Sequence, residues 1–193
     1  MKKILFILFI LILSFGQKIN AETINQIYEG NIDAKVTIIA YESLTCGHCA
    51  DFHKNIYPDL KKEFIDTGLV KIEFRHFPLD MAALNASKIA QCKNDGKSDL
   101  LHFLFSNQKK WVKGETVESA NENLKKLLKD ENIDVDFDKC VSNKNIEDYI
   151  LNSRIEAVKK FKLNATPTII INNKKFDKAL NFKNLKKSIE KLI

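Results

Sequence analysis

Cys46, Gly47, His48 and Cys49, within the stretch ESLTCGHCADFH, are the residues of this sequence best suited to chemistry. Two thiols at this spacing can close a short disulfide ring, help to hold a soft metal, or exchange disulfides with another thiol. The flanking elements decide among these. KVTIIAYES (35–43) is β-branched and aromatic, and Val36 to Tyr41 reads as a buried strand. From Cys49 onward Phe52, Ile56, Leu60 and Phe64 recur at helical spacing, with Pro58 expected to kink or restart the helix. The pair therefore stands at a strand-to-helix turn. Cys46 falls at the first turn, where free backbone N–H groups and the helix dipole favour a thiolate. Cys49 lies one turn in and shielded, placed to form or resolve the ring. Gly47 lets a substrate backbone approach, and His48 can offer a hydrogen bond or positive charge to the Cys46 sulfur. Stabilising the reduced form in this way makes the disulfide more oxidising.

LVKIEFRHF (69–77) alternates through Val70, Ile72, Phe74 and His76 and reads as a second strand after the Asp66-Thr67-Gly68 stop. Helical periodicity then fills 80–161, broken near Asp95-Gly96 and Lys113-Gly114. Helices are expected over Ala82–Lys93, Ser98–Lys110, Val117–Asp130 and Asn145–Lys160, with a shorter one within 134–143. Strand chemistry returns in TPTIIINNKKF, with a turn at Asn172-Asn173, and a closing helix buries Phe182, Leu185, Ile189 and Leu192. The order of strand, helix, strand, helical block, two strands and helix defines an α/β domain interrupted by a helical insertion.

Lys2 and Lys3, ten apolar residues from Ile4 to Leu13, and the small Ala21 have the layout of a secretory signal peptide over residues 1–21. The apolar run is shorter than the roughly 20 residues of a spanning helix. Removing it takes Lys2, Lys3 and Lys18 with no acid and lowers the net charge from +6 to +3. That excess is spread over Lys-rich helix faces, so solvated surface explains it and a nucleic-acid partner is not expected. With 3 Pro and 6 Gly there is no flexible linker or low-complexity tract. The four cysteines form an even set in an exported chain. Three pairings are formally possible; Cys46 and Cys49 are close enough in sequence to pair locally, which leaves Cys92 with Cys140. That second pair is expected as a structural disulfide, with two free buried thiols or a second redox couple as the alternatives. A bond closing that loop contributes roughly 4 kcal/mol in the chain-entropy model.

TIIAYESLTCGHCADF, FRHFPLD and the distant NATPTIII together resemble the DsbA-like thiol–disulfide oxidoreductases of the thioredoxin superfamily. The resemblance implies a thioredoxin fold (22–79 and 162–193) with an inserted all-helical domain (80–161). It implies Cys46 as exposed nucleophile, Cys49 as its partner, and Pro167 as a cis-proline that leaves the Thr166 backbone free to pair with a substrate strand. It further implies a periplasmic monomer without cofactors, acting on reduced or unfolded exported proteins and reoxidised by a membrane partner of the DsbB type. Two positions depart from the pattern. Many relatives carry a buried acid six residues before the nucleophile, where Ala40 stands here. Glu42, two residues along on the same face, either takes over proton handling near Cys49 or is a surface carboxylate at the strand end. Asn173 replaces a frequent glycine after the last central strand, and the turn is expected to survive.

His53 shares the helix face of Cys49; packing is its expected role, with tuning of the pair as the alternative. His76 and His102 have no partner identifiable from sequence, and Trp111 is expected to pack in the helical block. Disulfide donation is the leading activity. An isomerase or reductase would use the same residues, although 22–35 is too short for the dimerisation domain common in envelope isomerases. A metal-handling protein would take Cys46, Cys49 and His48 or His53 as ligands, but no closed four-ligand pattern accompanies them. A non-catalytic chaperone would keep full activity without Cys46.

Overall fold

The computed structural model describes residues 23–193; the signal peptide read at 1–21 lies outside the described residues. The elements in chain order are β1 (Ile27–Glu29), β2 (Val36–Glu42), α1 (Gly47–Asn55), α2 (Tyr57–Leu60) running into a π-helical turn (Lys61–Ile65), and β3 (Val70–His76). Then come α3 (Met81–Gln91), α4 (Asp99–Ser106), α5 (Gln108–Trp111), α6 (Val117–Asp130), α7 (Phe137–Ser142) and α8 (Lys144–Phe161). The hairpin β4 (Thr168–Ile171) and β5 (Lys174–Lys175) and the helix α9 (Phe182–Ile189) close the chain.

One sheet of order β1-β3-β2-β4-β5 carries the fold. The central β2 runs parallel to β3 and antiparallel to β4, which are the expected pairings of a β-α-β unit joined to a hairpin. Strand alternation sends Ile38 and Ala40 to one face and Ile39 and Tyr41 to the other. The first face shares a continuous core with Phe52, Ile72, Phe74, Ile89, Leu101, Trp111 and Leu124, so the helical insertion and the sheet are built on the same apolar cluster. The second face is covered by Ala157 and Phe161 of α8 together with Phe77 and Leu163. Within the insertion, Cys92 and Cys140 are joined by a disulfide across 48 residues.

Four local features differ from, or refine, the sequence reading. The strand β1 was not foreseen. It pairs antiparallel with β3, Ile27 opposite Phe74, and ends at Gly30. Gly30 has φ +91°, and a Cβ there would fall 2.3 Å from the Val70 carbonyl oxygen, so this close approach requires glycine. The helix expected at Ser98–Lys110 is interrupted at Asn107, which ends α4 and starts α5 with φ −106° and ψ 11°. The helix after Cys49 breaks at Ile56, and Pro58, lacking an N–H, sits in the first turn of α2 where none is needed. The β4–β5 turn is made by Asn172 (φ 43°) and Asn173 (φ 64°), so asparagine supplies the left-handed pair that a two-residue hairpin demands.

Candidate active site

Cys46 is the N-cap of α1, at the end of β2 and its four-residue exit. Its backbone is fixed from three sides. The Cys46 N–H donates to the Ser43 carbonyl (3.0 Å), while its own carbonyl accepts from Cys49 N–H and Ala50 N–H (3.1 and 3.2 Å). Gln108 at the start of α5 adds a third constraint. Its buried Nε2 donates to the carbonyls of both Leu44 (2.8 Å) and Cys46 (3.0 Å), tying the insertion to the active-site turn. Asp80 supplies another tie: it accepts from Thr45 Oγ1 (2.7 Å) while capping α3 through Ala83 N–H (2.7 Å). Neither Gln108 nor Asp80 stood out in the sequence, because a tie between distant loops leaves no periodic signal.

The two thiols are free and unequal. Cys46 is half-buried, and its Sγ donates to the Thr166 carbonyl at 3.4 Å. Cys49 is wholly buried beneath it. Burial first, and then the nearby Glu42 carboxylate, push the Cys49 thiol far above its ordinary range; the Ser43 backbone and the Thr166 side chain counter this only in part. Cys49 is therefore a neutral thiol at neutral pH, whereas Cys46 meets solvent at the positive end of a nine-residue helix.

Thr166-Pro167 is a cis peptide bond opposite Cys46. Both residues border a cavity of about 310 Å³ with His48, Asp51 and Leu180. His48 is exposed, and among the described residues no hydrogen bond joins it to the Cys46 sulfur. On the other side of Cys46 a recess of about 470 Å³ is bordered by Leu79 and Val112, two exposed apolar side chains.

Glu42 is buried, with its side chain 3% exposed, so it is not a surface carboxylate at the strand end. Both of its oxygens lie 3.0 Å from His53 Nε2. His53 is accordingly more than a packing residue, although it also stacks on Phe105 with ring centroids 4.1 Å apart. His76 stands beside Glu42 in the strand register, buried, with Nε2 lacking a partner among the described residues. Trp111 packs in the helical block as read, its Nε1–H donating to the Leu104 carbonyl (3.0 Å). Among the described residues no three His, Cys, Asp or Glu side chains are arranged to hold a metal ion.

A strand–CxxC–helix turn facing a cis-proline on this sheet order defines a thioredoxin-type site. The comparisons agree: the profile of the thioredoxin family Thioredoxin_4 matches residues 22–191, and the chain belongs to that family, in its DsbA-like group. The structure is similar to Wolbachia pipientis alpha-DsbA1, with a TM-score of 0.75 and 30% identity, covering 87% of this chain and 90% of that one. By sequence it is 28% identical over 176 residues to disulfide bond formation protein D of Bacillus subtilis, covering 84% of this chain and 74% of that protein. It is also 30% identical over 155 residues to a candidate protein-disulfide oxidoreductase of Rickettsia bellii, covering 77% of this chain. The chain spans only 57% of that Rickettsia bellii protein and about a third of its Rickettsia conorii counterpart (32%).

Proposed function

We propose that this chain is an exported protein-disulfide oxidoreductase that donates the Cys46–Cys49 disulfide to reduced secreted proteins. The observation that carries this reading is the inequality of the two sulfurs: Cys46 open at a helix N-terminus, Cys49 buried below it. A substrate thiolate attacks Cys46 Sγ, the Cys46–Cys49 bond breaks, and Cys49 departs with the electron pair and is protonated. A second substrate thiolate then attacks the substrate sulfur of the mixed disulfide. The substrate disulfide forms, and Cys46 leaves as a thiolate favoured by the free N–H groups of α1.

Substrate breadth is consistent with the surroundings. Leu79 and Val112 offer apolar surface beside Cys46, and the recess at Thr166 and Pro167 gives a second contact for an extended chain. Export to the periplasm follows from the reading of residues 1–21, and reoxidation by a membrane partner of the DsbB type follows from the family. We assign proton exchange with Cys49 to Glu42, a buried carboxyl whose charge adds to burial in keeping that thiol protonated.

The test is oxidative refolding of a reduced, unfolded disulfide protein by the stoichiometrically oxidised enzyme. Native disulfides should form with the wild-type chain and not with Cys46→Ser. An oxidised wild-type chain that leaves the substrate thiols unpaired, while its reduced form opens native disulfides, would overturn the direction proposed.

A further inference from the structure

Glu42 is the first member of a longer array. His53 Nε2 meets the Glu42 carboxyl at 3.0 Å, His53 Nδ1 meets His102 Nδ1 at 2.9 Å, and His102 Nε2 meets Glu29 Oε1 at 2.7 Å. These residues come from β2, α1, α4 and β1, so tertiary folding alone brings them together. Side-chain exposure is 3% at Glu42 and 6% at His53, then 24% at His102 and 16% at Glu29. The array thus runs from the buried Glu42, whose charge is felt at Cys49, to the wall of a cavity of about 520 Å³ lined by Glu29, Tyr57, Lys61, Ser98 and His102.

We propose that Glu42, His53 and His102, held at the outer end by Glu29, form a proton path linking Cys49 to solvent in that cavity. The proposal rests on the oxidoreductase reading above and specifies how its buried sulfur gains and loses a proton.

Donor counting supports conduction. A contact between two nitrogens requires one proton between them, and two neutral imidazoles that both donate through Nε2 would set lone pair against lone pair at Nδ1. Every arrangement that satisfies the array carries one proton in each contact. The shared protons can then sit so that Glu42 is ionised with the positive charge on His53 or on His102, or protonated with both rings neutral. Neighbouring forms differ by a short proton hop.

The surroundings hold the rings for that hop. Phe105 stacks on His53 at 4.1 Å, and Tyr57 stacks on His102 at 4.6 Å. At the outer end Glu29 also accepts from Tyr57 Oη and Ser98 Oγ and pairs with Lys61 (3.1 Å). Burial works to raise its pKa, but the His102, Ser98 and Tyr57 hydrogen bonds prevail and keep Glu29 ionised. It therefore orients His102 through the Nε2 contact. At the inner end the other titratable groups around Glu42 are Cys49, which receives the proton, His76, its partner in the strand register, and Tyr57, which burial and the Glu29 hydrogen bond keep neutral.

The balance is simple. When a substrate thiolate opens the Cys46–Cys49 bond, the electron pair left on Cys49 Sγ takes a proton from Glu42. His53 Nε2 passes a replacement to Glu42 as His102 Nδ1 protonates His53 Nδ1. The His102 ring, whose two nitrogens face His53 and Glu29, turns to take a proton from solvent in the cavity. Reoxidation runs the transfer in reverse.

The experiment measures reduction of the oxidised full chain by dithiothreitol, in acid-quenched time points counted by alkylation and mass, across pH 5 to 8 in H2O and D2O. His102→Ala should slow the step by about a hundredfold, the low end of the range a positioned acid–base group supplies. Added imidazole, which the cavity can admit, should restore the rate in His102→Ala and leave the wild type unchanged. His102→Gln, which keeps an amide donor for Glu29, should be equally slow with a larger solvent isotope effect; it carries the test alone if the alanine variant does not fold. Either variant exchanging at the wild-type rate, or a slowed variant with neither imidazole rescue nor a changed isotope effect, would overturn the path. A wild-type chain that exchanges no disulfide would instead overturn the oxidoreductase reading.

Discussion

Replacing His76 tests the burial argument at the edge of the active site. His76 lies in β3 opposite Glu42, 4% exposed, and its Nε2 has no partner among the described residues. Burial pushes its imidazolium down to about 4 from an ordinary 6.5. The sign follows from proton counting. Below pH 6.5 the unfolded chain binds a proton at this histidine while the folded chain does not, so stability falls as pH falls. The loss begins near 6.5, is complete near 4, and is absent above the window. Over the whole window it amounts to about 3 kcal/mol, and between pH 6.5 and pH 5 to about 2 kcal/mol. Carboxylates held low in the fold, such as Glu29 and Glu73, lose their contribution chiefly below their unfolded values near 4.5, outside that upper window. Urea unfolding of the reduced-site protein at pH 7 and pH 5 is the assay, with His76→Leu beside the wild type. The wild type should lose about 2 kcal/mol more than the variant on acidification. Equal losses would show that His76 titrates normally in the folded chain, and the reasoning from burial would fail.

Gln108→Leu should cost about 1–3 kcal/mol, because the Leu44 carbonyl loses its donor, whereas the Cys46 carbonyl keeps those of Cys49 and Ala50. The urea midpoint should fall by roughly 0.5–1.5 M at a slope of about 2 kcal/mol/M, and an unchanged midpoint would dissociate α5 from the active-site turn. Joint replacement of Cys92 and Cys140 by alanine should cost up to roughly 4 kcal/mol, since their bond closes a 48-residue loop. Disulfide exchange by Cys46 and Cys49 should persist in that variant while it remains folded, and its loss would give the second pair a redox role.

The fold was legible where chain-local physics sets the outcome. The β-branched run before Cys46, the 3.6-residue pattern after it, Pro58 and the Asn172-Asn173 turn each act within a few residues, and the structure places elements there. β1 escaped notice because three residues give no usable periodicity, and its place depends on β3 and on the close approach at Gly30. The same distinction governs the site. Cys46 and Cys49 are adjacent in sequence and were readable as a pair. Glu42 was ambiguous between buried and exposed until the position of His53 Nε2 was known. Contacts such as His53 with His102, 49 residues apart, or Gln108 with Leu44, 64 apart, are set by packing of separate helices against the sheet. Glu29 and His102 could have been flagged only as charged or titratable residues bordering apolar runs.

The measurement that tests the central claim most directly is the equilibrium of the Cys46–Cys49 pair in glutathione buffers, with Cys92 and Cys140 kept oxidised. A half-buried sulfur at a helix N-terminus above a fully buried partner should favour the reduced form. The predicted potential lies near the roughly −120 mV of DsbA. A value near about −270 mV, that of thioredoxin, would mark the pair as a reductant and contradict the account.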